Sequence, residues 1–154
     1  MGGRTPQGGQ GYGGGPGAQA VADPAEEIKR AIRDDDPELL VKLAELNGRR
    51  LAEARLTTSQ IRGIFGAARS MESLWSTRGT EDDLRSGRRA LLFLKPKLAY
   101  QEARHRTAGP GVSLLRTLLE PAIDSVGSDR EKFRRFLDYF EALLAYHKAS
   151  GGRD

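Results

Sequence analysis

The chain has 154 residues, a formal net charge of +4 and no cysteine. Its length suits one domain, and the lack of cysteine excludes disulfide bonds and thiolate metal sites. The two histidines, His105 and His147, lie far apart without metal-ligand spacing, so we expect no metal and no cofactor. No apolar run approaches the roughly 20 residues that span a bilayer, and the N-terminus lacks the apolar core of a signal peptide. These features predict a cytoplasmic protein.

The first 22 residues differ in composition from the rest of the chain. They hold nine glycines and a single charged residue, Arg4. Few contacts in such a segment can offset the entropy lost when glycine is ordered. We therefore predict a disordered Gly-rich tail over 1–22 and a single helical-bundle domain over 23–150.

Two Asp-Pro pairs predict the first two helices. Asp23 precedes Pro24 and Asp36 precedes Pro37, which places an N-cap residue before a proline at the first helical position. The first helix is short. The second has an apolar face at helical spacing, formed by Leu39, Leu40, Leu43, Leu46, Leu51 and Ala54.

The segment LTTSQI at 56–61 is the clearest helix start in the sequence. Thr57 can cap the helix, and Gln60 can complete a reciprocal capping box. The buried stripe that follows consists of Ile61, Ile64, Phe65, Ala68, Met71 and Trp75.

A fourth stretch, roughly 80–106, contains the run LLFLKPKLAYQEARHR. Leu91, Leu94 and Leu98 repeat at helical spacing, which predicts one helix ending at Gly109 and Pro110. Pro96 lies inside this pattern, where it removes an N–H and predicts a kink.

Two further helices complete the predicted fold. One runs over about 112–126 with an interior proline, Pro121, and the last begins at Ser128 with Glu131 as its capping-box partner. The last helix has an apolar stripe of Phe133, Phe136, Leu137, Phe140, Leu143, Leu144 and His147. The whole pattern predicts an all-α fold, a compact bundle of about five helices.

Positive charge is concentrated in one segment. Residues 85–106 carry seven basic residues against one acidic residue, a local excess of +6. On a helical wheel one stripe lies away from the leucines, and it contains Arg89, Phe93, Lys97, Tyr100 and Arg104. Basic and aromatic side chains on one face are typical of surfaces that bind a nucleic-acid backbone.

Other functional readings are weaker. The acidic runs at 34–36 and 82–83 suit helix capping, and no nucleophile, phosphate-loop or metalloprotease motif occurs. His147 fits a structural place in the last helix. Arg62 and Arg69 share a helix face and can either extend the basic surface or pair with acids such as Glu72.

The alternative function is a protein-only helical adaptor with no direct nucleic-acid contact, which docks through its aromatic C-terminal stripe. A nuclease is a more remote alternative.

Four segments resemble a known family in order and separation. They are LTTSQIR at 56–62, LKPKLAY at 94–100, LEPAIDSVG at 119–127 and FLDYFEALLAYHK at 136–148. Together they resemble the small subunit of the type III-A CRISPR effector, the Csm complex. The resemblance covers about residues 37–149.

The resemblance implies a non-catalytic subunit of an RNA-guided antiviral complex. Such a subunit stacks with further copies of itself in the inner filament, beside the backbone and large Csm subunits, and contacts guide RNA and target RNA without sequence specificity. Motif positions suggest Arg62, Lys95, Lys97 and Lys148 as RNA contacts, and the helical wheel adds Arg69, Arg89 and Arg104. No catalytic or metal-binding residue is expected.

Overall fold

The computed structural model describes residues 23–154, and the tail predicted for residues 1–22 lies outside them. Seven α-helices follow one another in this part of the chain: α1 Pro24–Arg33, α2 Pro37–Glu53, α3 Thr58–Ser70, α4 Glu81–Leu92, α5 Leu94–Arg104, α6 Gly111–Val126 and α7 Arg130–Ala149. Short 3₁₀ turns at Glu72–Trp75 and Arg106–Ala108 follow α3 and α5. The predicted all-α fold is confirmed, with no strand between residues 23 and 154.

Most helix starts agree with their local sequence signals. The Thr57 hydroxyl accepts the Gln60 N–H and the Gln60 side chain accepts the Thr57 N–H, which forms the predicted capping box. The start predicted at Ser128 is wrong by one residue. Asp129 caps α7 instead, because its carboxylate accepts the N–H groups of both Glu131 and Lys132.

The single kinked helix predicted for 80–106 is wrong. α4 ends at Leu92, Phe93 lies between the helices, and α5 begins at Leu94. Pro96 is therefore the third residue of a new helix. Because the first N–H groups of a helix have no intrahelical partner, the missing N–H of Pro96 breaks no helical bond.

The core forms around α7, which packs against α2, α3 and α6, while α1 packs on α6. Its aromatic side chains fill the centre: Phe133 stacks on Trp75 with ring centres 4.7 Å apart, and Phe140 meets Phe65 edge-on at 5.1 Å. Phe133, Phe136 and Phe140 are buried. The aromatic stripe of the last helix is thus occupied within the chain and does not form the docking surface that the adaptor hypothesis needs.

The α2 face departs from its prediction at one point. Leu46 is 49% exposed, whereas Asn47 and Gly48 face the core. A Cβ atom at Gly48 would lie 2.6 Å from the Cβ of Tyr146, so glycine allows α2 and α7 to approach closely. Asn47 is satisfied by the Tyr139 hydroxyl, at 3.3 Å. Close helix packing, rather than the leucine pattern alone, sets which side of α2 is buried.

Across residues 23–154, none of the helices has the length and apolar character needed to cross a membrane.

Candidate nucleic-acid interface

Basic and aromatic side chains share one exposed face of α4 and α5. We call this face the α4–α5 surface; it consists of Arg89, Phe93, Lys97, Tyr100 and Arg104. Phe93 is 52% exposed and Tyr100 is 63% exposed, and the three basic residues are exposed as well. The Arg89 guanidinium lies 5.0 Å from the centre of the Phe93 ring, within the range of a cation–π contact. The structure thus exposes all five residues that the helical wheel grouped.

Packing of the opposite face explains this exposure. Leu91, Leu94 and Leu98 are buried, so α4 and α5 turn the same side toward the core even though the helix is interrupted at Phe93. Residues on the other side of both helices must then face solvent. Phe93 and Tyr100 therefore present their rings to solvent on this side.

The cations of this surface are not neutralised within the described chain. Arg89, Lys97 and Arg104 form no ion pair with an acidic residue of 23–154. Their charge is therefore available to a phosphate group, which guanidinium and ammonium groups bind.

Lys95 is placed differently from Lys97, although the two flank the same proline. Its ammonium group forms an ion pair with Asp124 on α6, and its side chain is partly buried. Lys97 is exposed, and because it follows Lys95 by two residues in α5 it lies on the opposite side of the helix. The fold therefore uses Lys95 to join α5 to α6.

The one acidic residue of the basic segment is also held by α6. Glu102 Oε1 lies 2.9 Å from Arg116 Nη1, and Arg116 Nε lies 2.8 Å from Glu120. Hydrogen bonds from Ser113 and Arg116 lower the pKa of Glu102, so this carboxylate stays ionised and paired. Its charge is compensated by α6, away from the exposed cations.

Arg62 and Lys148 come together at a second place, where α3 begins and α7 ends. Lys148 Nζ lies 3.0 Å from Asp154 Oδ1, and Arg62 lines the same cavity as this pair. We call this place the α3–α7 joint and define it by Thr58, Arg62, His147, Lys148 and Asp154. It differs from the α4–α5 surface because a carboxylate of the chain already occupies it.

Arg69 lies farther along α3. Its Nε atom is 3.9 Å from Glu72 Oε1, and its guanidinium lies 6.0 Å from the Phe65 ring centre. Of the two roles considered for Arg69, the structure shows the pairing with Glu72.

His147 is buried inside the fold, as its position in the apolar stripe of the last helix predicts. It is 1% exposed, and its Nε2 atom lies 2.6 Å from the Leu56 carbonyl oxygen, which links α7 to the start of α3. Its side chain is used inside the fold.

The seven candidate residues thus divide into three sets. Arg89, Lys97 and Arg104 lie together on the α4–α5 surface, Arg62 and Lys148 lie at the α3–α7 joint, and Lys95 and Arg69 are paired with acids of neighbouring elements. Sequence reasoning missed Thr58 and Asp154, since only their position in the fold brings them beside Arg62 and Lys148.

Comparison with known proteins gives one result. The family model described as Csm2 Type III-A matches residues 34–153, most of the chain. No curated protein and no solved structure matched. Members of the matching family are generally non-catalytic structural subunits. The chain therefore belongs to the Csm2 family and is a small subunit of the type III-A Csm complex.

Proposed function

We propose that this small subunit holds guide RNA and target RNA by their backbones, with the α4–α5 surface as its main contact. The observation that carries this proposal is the alternation of three exposed cations with two exposed aromatic rings on α4 and α5. Cations bind phosphates, and aromatic rings stack on any base. The surface therefore suits single-stranded or paired RNA of any sequence.

Sequence-independent binding of RNA suits a subunit of an RNA-guided complex. Contacts to phosphate and sugar fix the position of a strand but carry no sequence information, and base pairing between guide and target supplies specificity. The subunit then needs no active site and contributes electrostatic attraction and the shape of a groove.

Membership of the Csm complex supports the remaining part of the proposal. In the Csm complex, copies of this chain stack on one another in the inner filament and contact the backbone and large subunits. The α4–α5 surfaces of successive copies would then follow the RNA.

A binding measurement with matched charge variants tests the α4–α5 surface. The test variant is Arg89→Ala/Lys97→Ala/Arg104→Ala. The control, Arg30→Ala/Lys42→Ala/Arg49→Ala, removes the same charge from exposed positions of α1 and α2. Fluorescence anisotropy with an unstructured 20-nucleotide RNA gives the affinity at several salt concentrations.

We expect the test variant to bind more weakly and to lower the slope of log affinity against log salt by about 2, since each lost phosphate contact is worth about 0.7. The control should keep the slope of the parent protein. Equal slopes for the two variants, or a strong preference for one RNA sequence, would contradict the proposal.

A second pair of variants tests the aromatic part of the surface. Tyr100→Ala should weaken RNA binding by about 1–3 kcal/mol, the usual value of base stacking on an aromatic side chain. Tyr100→Phe keeps the ring and should bind like the parent. If both variants bind like the parent, Tyr100 does not stack on bases.

A further inference from the structure

The segment 151–154 folds back over the α3–α7 joint. Gly151 has a φ of +91°, a left-handed conformation that favours glycine, and the Gly152 N–H donates to the His147 carbonyl at 2.8 Å. A Cβ atom at Gly152 would clash with the imidazole ring of His147. Two glycines are therefore needed for this particular path of the chain.

The fold-back places two acceptors at the start of α3 and the end of α7. The Arg153 carbonyl accepts the Thr58 N–H at 2.7 Å, and the Asp154 carboxylate lies 3.0 Å from Lys148 Nζ. Asp154 lies in a cavity of about 310 Å³, whose other lining residues are Thr58, Arg62, Phe65, Leu144, His147 and Lys148.

The donors around this cavity form a set that suits an oxyanion. Arg62 is exposed and pairs with no carboxylate within 4 Å among the described residues. The Thr58 N–H belongs to the first turn of α3, where N–H groups favour anions. The Thr58 hydroxyl oxygen is shielded from solvent, and the Thr58 side chain lies close enough to the Asp154 carboxylate to help lower its pKa. Two cations and the Thr58 hydroxyl thus line the cavity that holds the Asp154 carboxylate. Lys148 pairs with that carboxylate directly, and the Thr58 N–H is bound to the neighbouring Arg153 carbonyl.

The charge of Asp154 responds to these neighbours. The hydrogen bond and the positive charge of Lys148 lower the pKa of Asp154, and the charge of Arg62 lowers it further. The joint therefore favours a negative group at this position.

The carboxylate is held only loosely. The Lys148 side chain is 60% exposed and that of Asp154 is 82% exposed, and ion pairs between exposed side chains contribute little to stability. Because Gly152 is buried against His147, the movement that vacates the cavity can begin at Arg153, whose carbonyl would then leave the Thr58 N–H. An RNA phosphodiester offers the same donors one negative charge shared by two non-bridging oxygens, as the carboxylate does, and can therefore take its place.

We propose that the α3–α7 joint is a second RNA phosphate site of this subunit, in which Asp154 occupies the place of the phosphate until RNA displaces it. The inference rests on the proposed function and extends it, because it adds a contact that the chain itself blocks. Asp154 then acts as an internal competitor that weakens RNA binding by the free chain.

The first experiment compares Asp154→Asn with Glu26→Gln in the anisotropy assay at low salt. Glu26 is an exposed carboxylate on α1 that pairs with Lys29 at 3.8 Å, so both variants lose one negative charge and one exposed pair. We expect Asp154→Asn to bind RNA about two- to fivefold more tightly than Glu26→Gln, the factor that an exposed ion pair is worth. Equal affinities would overturn the inference.

A second comparison tests whether the tighter RNA binding of Asp154→Asn depends on Arg62 and Lys148. In an Arg62→Ala/Lys148→Ala background, Asp154→Asn should no longer tighten RNA binding, because the two cations for which Asp154 and the phosphate compete are gone. A gain of the same size in that background would overturn the inference, because the effect would then be general electrostatics.

A titration without RNA separates this inference from the proposed function. Inorganic phosphate is added to the full chain, and the Thr58 amide is followed by NMR. We expect phosphate to shift this amide in Asp154→Asn and much less in the parent. Absence of a shift in Asp154→Asn would overturn the inference whatever the RNA assays show, whereas a shift without any RNA binding would contradict only the proposed function.

Discussion

The α4–α5 surface and the α3–α7 joint both carry basic residues, but the fold uses them differently. At the joint, Lys148 pairs with Asp154 and His147 bonds to the Leu56 carbonyl. On the α4–α5 surface, Lys97 and Arg104 have no acidic partner among residues 23–154. The difference shows that the fold pairs some basic residues with acids and leaves others unpaired, which a count of positive charges in the sequence does not reveal.

The largest expected effect concerns the joint. His147→Ala removes the donor to the Leu56 carbonyl and leaves a cavity at a position that is 1% exposed. We expect the free energy of unfolding to fall by about 2–4 kcal/mol, from the cavity and the unsatisfied carbonyl together. Urea unfolding followed by circular dichroism measures this loss. RNA binding at the α4–α5 surface should persist in the protein that remains folded.

His105 provides the matched control. It is only partly buried, at the end of α5. His105→Ala should change the free energy of unfolding by less than about 1 kcal/mol, as is usual away from the core. Equal losses for the two histidine variants would mean that the His147 hydrogen bond does not hold the joint together.

The second prediction distinguishes the roles of Lys95 and Lys97 within the basic segment. Lys97→Ala should lower the salt slope of RNA binding by about 0.7 and change stability by no more than about 0.5 kcal/mol. Lys95→Ala should instead lower the free energy of unfolding by up to about 1 kcal/mol, because Asp124 loses its partner, and should leave the salt slope unchanged. Anisotropy and urea unfolding on both variants give the two numbers. If Lys95→Ala lowered the salt slope and Lys97→Ala lowered the free energy of unfolding, Lys95 would contact RNA and Lys97 would stabilise the fold.

The helix starts could be predicted because their signals are local. Asp23, Asp36 and Thr57 each cap a helix from within three residues, and the sequence predicts all three. The stripe on α4 and α5 could also be predicted, since helical period alone puts Phe93 and Tyr100 opposite the buried leucines.

Contacts that depend on the path of the folded chain could not be predicted. Lys95 meets Asp124 only because α5 packs on α6, and Asp154 meets Lys148 only because the chain turns at two glycines. Leu46 is exposed because α2 approaches α7 through Gly48 and thereby turns Asn47 inward. In each case a tertiary contact, which no short pattern encodes, decides which side chains remain on the surface.

The smallest expected effect concerns Pro96, between the two lysines. A proline inside one continuous helix would cost about 3 kcal/mol, so its replacement by alanine should then stabilise the protein. Pro96 instead lies in the first turn of α5, where its missing N–H has no helical partner to lose. Its ring also restricts the unfolded chain, so Pro96→Ala should lower the free energy of unfolding by about 0.4–1 kcal/mol in urea unfolding. A stabilised variant would contradict the division between α4 and α5 and restore the strained helix that the sequence alone suggests.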